Sequence, residues 1–281
     1  MMSKLYFNSQ NNDFTLYQGD CLEVLKNLNV KFNMIFADPP YFLSNGGISV
    51  HAGKMVSVNK GDWDKSQGFD ANNEFNYKWL SACRERLADS GTVWVSGTFH
   101  NIFSVAQALT EIGYKILNCV TWEKTNPPPN LSCRYFTHST EFILWARKSE
   151  KSKHYYNYDL MRRINGGTQM KDVWRFPAIA PWEKSCGKHP TQKPLSLLTR
   201  IILASTEKGD LVLDPFSGSA TTGIACALTG RRYIGIEKES DFLEISKNRF
   251  AEIQNNTTAN SYRVRITDLK NENQSDLFSE N

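Results

Sequence analysis

Asp38-Pro39-Pro40-Tyr41 directly follows the apolar run Met34, Ile35, Phe36, Ala37. Two prolines cannot continue a strand ladder, because each lacks an N–H and holds φ at about −65°. The plain reading is a strand stop followed by a turn, which proline pairs often make. The chemical reading is a carboxylate, a rigid carbonyl and an aromatic ring presented at a strand end, where open α/β sheets bind their ligands. A second turn of this kind, "DPFSGSATTG" from Asp214 to Gly223, leaves one apolar strand and enters a helix. Its small residues let the backbone approach a ligand, and the helix start offers unpaired N–H groups. Glu237 ends the next strand about twenty residues on, the usual spacing for an acid that bonds a ribose diol. Asp20, after Gly19, ends another. Four acids at strand ends, Asp20, Asp38, Asp214 and Glu237, suit a cationic or hydroxyl-rich ligand. A metal is the rival, but hard-cation sites usually cluster acids more closely in sequence, so none is expected. Neither G-x-x-x-x-G-K-[ST] nor G-x-G-x-x-G occurs.

The elements that must position these residues alternate between strand and helix. "DFTLYQGD" (13–20) alternates as a short strand and leads into a helix through "CLEVLKNL"; "NMIFAD" (33–38) is a continuous apolar strand of the buried parallel kind. Residues 41 to 64 hold several glycines and no sustained period, and read as a mobile loop. "EFNYKWLSACRERL" (74–87) is a helix with Phe75, Trp79, Cys83 and Leu87 on one face. "GTVWVSG" (91–97) is a strand, and "NIFSVAQALTEIG" (101–113) a helix closed by glycine. "KILNCVTWEK" and "STEFILWARK" form a further strand pair, joined by the proline-rich "TNPPPNLSCRYFTH". Residues 149 to 188 are basic, aromatic-studded and irregular. "PLSLLTRIILAST" (194–206) is an amphipathic helix with proline first. Strand, glycine turn, helix, strand and helix then follow to Asn255, beyond which the polar tail is expected to fray. This order predicts a doubly wound, mostly parallel α/β sheet covered on both faces.

Composition narrows the class. A chain of 281 residues suits one large α/β domain or one domain with an insertion. No apolar run approaches the roughly 18 residues of a membrane span, and the first residues lack a signal-peptide core. Cys21, Cys83, Cys119, Cys133, Cys186 and Cys226 are scattered without a C-x-x-C pair, which predicts reduced thiols and a cytoplasmic protein. The net charge is +4, but Thr121 to Pro194 carries 13 Lys/Arg against 6 Asp/Glu. Such a segment is either a solvated face or a footprint for a polyanion.

Together these pieces resemble the S-adenosylmethionine-dependent DNA amino-methyltransferases. Asp38-Pro39-Pro40-Tyr41 looks like their catalytic motif and Asp214-Pro215-Phe216-Ser217-Gly218-Ser219 like their cofactor turn. The catalytic motif comes first and the basic stretch lies between, the order of the circularly permuted β class. "ADPPYFLSNGG", "KGDWDK", "KTNPPPNLSCRYFTHSTE", "HYYNYDLM", "QMKDVW" and "GKHPTQKP" resemble the DpnA-type adenine methyltransferases of restriction–modification systems. That resemblance implies a Rossmann-like class I methyltransferase fold acting on GATC in single- and double-stranded DNA. It divides the chain, with approximate boundaries, into a catalytic half (1–124), a basic target-recognition and loop region (125–188) whose strand 139–148 is open to joining the sheet, a cofactor-binding half (189–255) and a polar tail (256–281). A cognate restriction endonuclease is then the functional counterpart, and dimers are common among relatives.

The resemblance also implies roles. Asp38 and the Pro39 carbonyl would bind the two hydrogens of an adenine amine, Pro40 would hold them rigid, and Tyr41 would stack on the flipped base. Asp20 and Glu237 would flank the adenine and ribose of the cofactor under Phe216. Gly218, Ser219, Thr221 and Thr222 would meet its methionine end, Thr191 and Lys193 its carboxylate, and Asp214 the turn. Arg134, Arg147, Arg162, Arg163, Lys171 and Arg175 would contact phosphate. Residues 42 to 62 would close as a lid. One position departs from the family: Ala220 stands where F-x-G-x-G has its second glycine. If that position needs only a small side chain, alanine serves, and this is the expectation; if it needs positive φ, alanine strains the turn. The motif class also includes cytosine-N4 enzymes, which more often carry Ser in place of Asp38, and a relative that binds DNA without turnover is the remaining alternative.

Overall fold

The computed structural model describes residues 3–42, 48–51, 54–57, 68–266 and 268. Eleven strands are described: β1 (Lys4–Asn8), β2 (Phe14–Gln18), β3 (Phe32–Ala37), β4 (Ile48–His51), β5 (Lys54–Ser57), β6 (Leu87–Gly97), β7 (Lys115–Lys124), β8 (Thr140–Arg147), β9 (Val173–Phe176), β10 (Leu211–Asp214) and β11 (Arg232–Glu237). The helices are α1 (Cys21–Asn27), α2 (Phe69–Arg86), α3 (Ile102–Ile112), α4 (Tyr158–Ile164), α5 (Leu195–Ser205), α6 (Thr221–Leu228), α7 (Ser240–Ile253) and α8 (Asn256–Arg265), with a 3₁₀ turn at Pro181–Lys184.

Nine strands form one sheet in the order β1-β2-β11-β10-β3-β6-β8-β7-β9. The five central strands from β2 to β6 are mutually parallel, while β1 and β8 run against their neighbours. After β3 the chain moves towards β6, whereas after β10 it moves towards β11. A crevice therefore opens between the carboxyl ends of β3 and β10, the position at which doubly wound sheets bind ligands. Because β8 is antiparallel, its first residues, Thr140 and Glu141, reach that same rim, beside the end of β7.

Apolar side chains fill both faces of the sheet. Trp79, Leu80, Val105 and Leu109 of α2 and α3 pack with Ile35, Val93 and Leu213 on one face. Leu195, Leu198, Ile201, Ile202, Ile224 and Phe250 of α5, α6 and α7 pack with Phe14, Met34 and Trp94 on the other. Trp94 stacks on Trp145 at 4.8 Å and donates its indole N–H to Ser205 Oγ at 3.0 Å, so its one polar atom is satisfied.

Four local expectations change. Helix α2 begins at Phe69 rather than residue 74, and Lys4–Asn8 adds an antiparallel edge strand. Within the segment read as a loop, β4 and β5 pair as a hairpin. The rest of the supposed lid falls largely on residues 43–47, 52–53 and 58–67, outside those described. Within residues 125–188, β8 and β9 are hydrogen-bonded into the sheet, and α4 packs on α5. Helix α5 is buried nearly all round rather than amphipathic, with Pro194 as its N-cap residue.

The last change explains the tail. A helix apolar on all sides needs cover on all sides, and part of that cover lies past Asn255. Helix α8 buries Ala259 and Tyr262, Ile266 is fully buried, and the Asp268 carboxylate takes a bidentate pair from Arg200 of α5 at 2.6 and 2.7 Å. Fraying is therefore excluded up to Arg265.

Ala220 decides its own question. It caps α6 at φ 54°, ψ 39°, in the left-handed region, with its side chain fully buried. The position does need positive φ, so the expectation that a small side chain suffices is corrected. A left-handed alanine costs roughly 1–2 kcal/mol. Ala220→Gly should stabilise the fold by about 1 kcal/mol, read as a higher urea midpoint; a lower midpoint would mean that the lost methyl packing outweighs the strain.

Candidate active site

Strand β3 ends at Ala37 and delivers Asp38 to the crevice, where its carboxylate is held on both oxygens. Ser96 Oγ of β6 donates to Oδ1 at 2.5 Å and the Tyr41 hydroxyl donates to the same oxygen at 2.7 Å. The Lys193 ammonium donates to Oδ2 at 2.7 Å and to the Tyr41 oxygen at 3.0 Å. Behind it stands Glu141, 3.5 Å from Lys193 and 2.6 Å from Lys124. The result is a half-buried chain of alternating charge with Lys193 buried at its centre: Asp38, Lys193, Glu141, Lys124.

Burial alone would lower the Lys193 pKa, but Asp38 and Glu141 outweigh it and hold the ammonium well above its ordinary value. Burial would likewise raise Glu141, yet Lys193 and Lys124 keep its carboxyl below the usual range. Burial and the Asp38 charge push the Tyr41 hydroxyl well up, so it remains a donor. A carboxylate has roughly four acceptor sites. Ser96, Tyr41 and Lys193 take three at Asp38, leaving one for an incoming N–H.

A cavity of about 370 Å³ opens beside this chain, lined among others by Asp20, Asp38, Pro39, Pro40, Tyr41, Phe75, His189, Thr191, Phe216, Gly218 and Glu237. Phe216 forms an aromatic wall, edge-on to Trp79 at 5.3 Å. Glu237 accepts from the backbone N–H of Gly218 at 2.8 Å, Lys238 at 2.7 Å and Glu239 at 3.0 Å, and its pKa is raised by burial. Asp20 caps α1 through Leu22 N–H and pairs with Lys238 at 2.7 Å. Burial opposes its charge, but Lys238 and the cap bond hold its carboxyl below the ordinary value. Gly218 has φ +51°, and a Cβ there would lie 2.9 Å from His189 Nε2. Burial lowers the His189 pKa to about 4, so the ring is neutral at pH 7.

Other residues of the expected cofactor set face inward and are not among those lining the cavity. Asp214 is fully enclosed, accepting from Phe216 N–H at 3.1 Å and Thr222 Oγ1 at 2.6 Å. Ser219 and Thr221 face the buried Arg249, whose Nη1 donates to Ser219 O at 2.6 Å and Thr221 Oγ1 at 3.0 Å. These four residues shape the turn. Lys193 bonds Asp38 and Tyr41. Glu141, Ser96, Arg249 and His189 were not singled out from sequence. His189, in "GKHPTQKP", and Glu141, at the end of "KTNPPPNLSCRYFTHSTE", carried a local signal; Ser96 and Arg249 carried none.

Asp214 makes a measurable prediction. Burial raises its pKa from 3.8 to about 7. The folded state therefore binds a proton that the unfolded state has lost, and stability falls as pH rises from about 4 to about 7. Asp214→Asn should show a flatter stability difference across that window, since Thr222 Oγ1 can also accept from an amide. Urea midpoints at pH 5 and pH 8 test it; equal slopes in both proteins would remove the buried proton.

The basic residues are spread out. Arg134 is exposed on the 125–139 loop at the rim, Lys171 precedes β9, and Arg175 on β9 pairs with Glu123 at 3.2 Å. Arg162 and Arg163 are exposed on the last turn of α4. Arg147 ends β8 opposite Thr92 and Lys115, at the far edge of the sheet from the cavity, and bonds Glu150 O at 2.7 Å. Trp174 is buried.

The model of the N6/N4 family described as DNA methylase matches residues 32–248. The chain belongs to that DNA methylase family. This methylase is 57% identical over 254 residues to the type II methyltransferase M2.MboI of Moraxella bovis, covering 90% of this chain and 93% of that one. It is 56% identical over 259 residues to the type II methyltransferase M2.DpnII of Streptococcus pneumoniae, covering 92% and 96%. Among solved structures, the M1.HpyAVI–SAM complex superposes with TM-score 0.66 at 29% identity, over 84% of this chain and 98% of that one. The cytosine-N4-specific PvuII methyltransferase shares the fold, with TM-score 0.69 at 18% identity over 95% of each chain. This methylase is an S-adenosylmethionine-dependent DNA methyltransferase of the restriction–modification type, with a class I methyltransferase fold. Among its described residues, no helix is long and apolar enough to cross a membrane.

Proposed function

We propose that the methylase acts on the exocyclic N6 amine of an adenine flipped out of DNA, within GATC, on single as well as double strands. The observation that carries this reading is the acceptor pair at the end of β3. An adenine amine is a poor nucleophile because its lone pair is delocalised into the ring. The one open acceptor site on Asp38 takes one amine hydrogen and the Pro39 carbonyl takes the other, drawing the nitrogen towards tetrahedral geometry. The prolines and the three donors on Asp38 fix the acceptors beforehand, so little reorganisation is left for the transition state.

S-adenosylmethionine fits the cavity: an aromatic wall at Phe216, a carboxylate with one remaining acceptor site at Glu237, and a glycine that leaves room beside His189. When bound it supplies an electrophilic methyl on a sulfonium. Glu237 and Asp20 hold the ribose and adenine, and Thr191 lies towards the methionine end. The proton released from the alkylated amine passes to Asp38 or water. Arg134, Lys171 and Arg175 belong to the DNA face in this reading, while Arg147, at the far edge, does not. A restriction endonuclease of the same specificity is the functional counterpart, and a homodimer is the assembly to look for.

Labelled methyl transfer to matched oligonucleotides with and without GATC, single- and double-stranded, tests the reading once the product nucleoside is identified. N6-methyladenine on GATC DNA alone is expected. Label on cytosine would overturn the base assignment, and label on other sequences the site.

A further inference from the structure

Two loops at the rim carry aromatic rings that the chemistry above does not use. Residues 98–101 follow β6, two positions beyond Ser96, and residues 125–139 join β7 to β8, two positions before Glu141. Phe99, Tyr135 and Phe136 are 44%, 62% and 94% exposed, and Phe103 and Leu131, within a few positions of them in sequence, are exposed as well. Scattered apolar residues on a surface are ordinary, but a contiguous group next to a binding cavity marks an interaction site.

The rings are organised. Phe99 stacks on His138 at 5.1 Å with 29° between planes, and Tyr135 lies 5.5 Å from the same imidazole. The loop behind them is held by side-chain bonds: Asn130 donates to Tyr135 O at 2.6 Å and accepts from Ser132 N–H at 3.0 Å, while Asn126 accepts from Ala178 N–H at 2.7 Å. The surface is therefore shaped before any partner arrives. Neither 98–103 nor 125–139 contains an Asp or Glu, and Arg134 projects from the loop. An acid-free aromatic surface with a cation beside it complements a polyanion that carries flat bases.

We propose that Phe99, Tyr135 and Phe136 form a stacking shelf for the bases next to the flipped adenine. A base drawn out of its stack leaves its neighbours with exposed π-faces, and aromatic side chains take such faces without regard to sequence. The shelf stands on the rim that holds Asp38, so the strand entering the cavity passes over it. The inference rests on the DNA reading given above.

The test is affinity as a function of salt. Tyr135→Ala/Phe136→Ala should weaken binding of a GATC oligonucleotide roughly tenfold or more, with the slope of log Kd against log salt unchanged, because no phosphate contact is lost. Arg134→Ala should instead reduce that slope by about one. Tyr135→Trp/Phe136→Trp should retain wild-type affinity. 2-Aminopurine placed beside the target adenine should change its fluorescence on binding wild type and lose that change with the double alanine variant. S-adenosylmethionine affinity should be the same in all four proteins.

Unchanged DNA affinity in the double alanine variant, beside a wild type that methylates DNA, overturns the shelf alone. So does a wild-type dimer that the same variant converts to monomer without change in DNA affinity, since a second copy then occupies the surface. A wild type that binds DNA but transfers no methyl overturns the catalytic reading while leaving the shelf to stand or fall by the fluorescence. A wild type that binds no DNA overturns both.

Discussion

Asp38→Ala is expected to lower kcat by about 10²–10³-fold, the scale for losing one preorganised group that stabilises a transition state. The variant removes the acceptor left open beside Ser96, Tyr41 and Lys193. Glu237, Asp20 and Phe216 line a different part of the cavity, so the dissociation constant for S-adenosylmethionine should barely change. Asp38→Asn refines the test. Its amide oxygen can still accept from Ser96 and Tyr41, but its NH₂ group would face the Lys193 ammonium, now 2.7 Å from Oδ2. Donor would meet donor, so asparagine should not rescue turnover. Single-turnover transfer with calorimetric cofactor binding separates the two effects. Unchanged turnover in the alanine variant would sink the acceptor mechanism.

Lys193→Met should have the largest effect on stability. It removes the cation between two buried carboxylates, Asp38 and Glu141. Breaking a buried ion pair costs about 3–5 kcal/mol because a charge is left without compensation. Lys124 still pairs with Glu141 at 2.6 Å, so the loss falls mainly on Asp38 and the low end, about 3 kcal/mol, applies. Adding Glu141→Gln should recover part of the stability, because it removes the like charge facing Asp38. Urea unfolding of the single and double variants measures this. Wild-type stability in Lys193→Met would show that the chain of charges contributes nothing.

The double role of Lys193 shows why the site was legible only in part. "GKHPTQKP" pointed to a cofactor element, and Thr191 does line the cavity. Lys193 lies 155 residues from Asp38 in sequence, and only the packing of α5 under the end of β3 brings them together. Glu141 looked like one polar residue opening the strand "STEFILWARK". Its meaning comes from the antiparallel direction of β8, which carries it to the rim and Arg147 to the opposite edge.

Local chemistry in the sequence determined the strand and helix order, the proline-stiffened stop after β3, the glycine turn after β10 and the acid after β11. These depend on residues within a few positions of one another, where periodicity, proline and glycine act directly on the backbone. Tertiary structure decided which side chains of the second turn face the cavity, since Asp214, Ser219, Thr221 and Thr222 are claimed by partners within the fold. It also decided that Ala220 adopts a left-handed conformation, and that residues past Asn255 pack on α7 and reach α5 through the Arg200–Asp268 pair. Each of those outcomes depends on contacts between distant segments, and a local pattern carries no record of what will be packed against it.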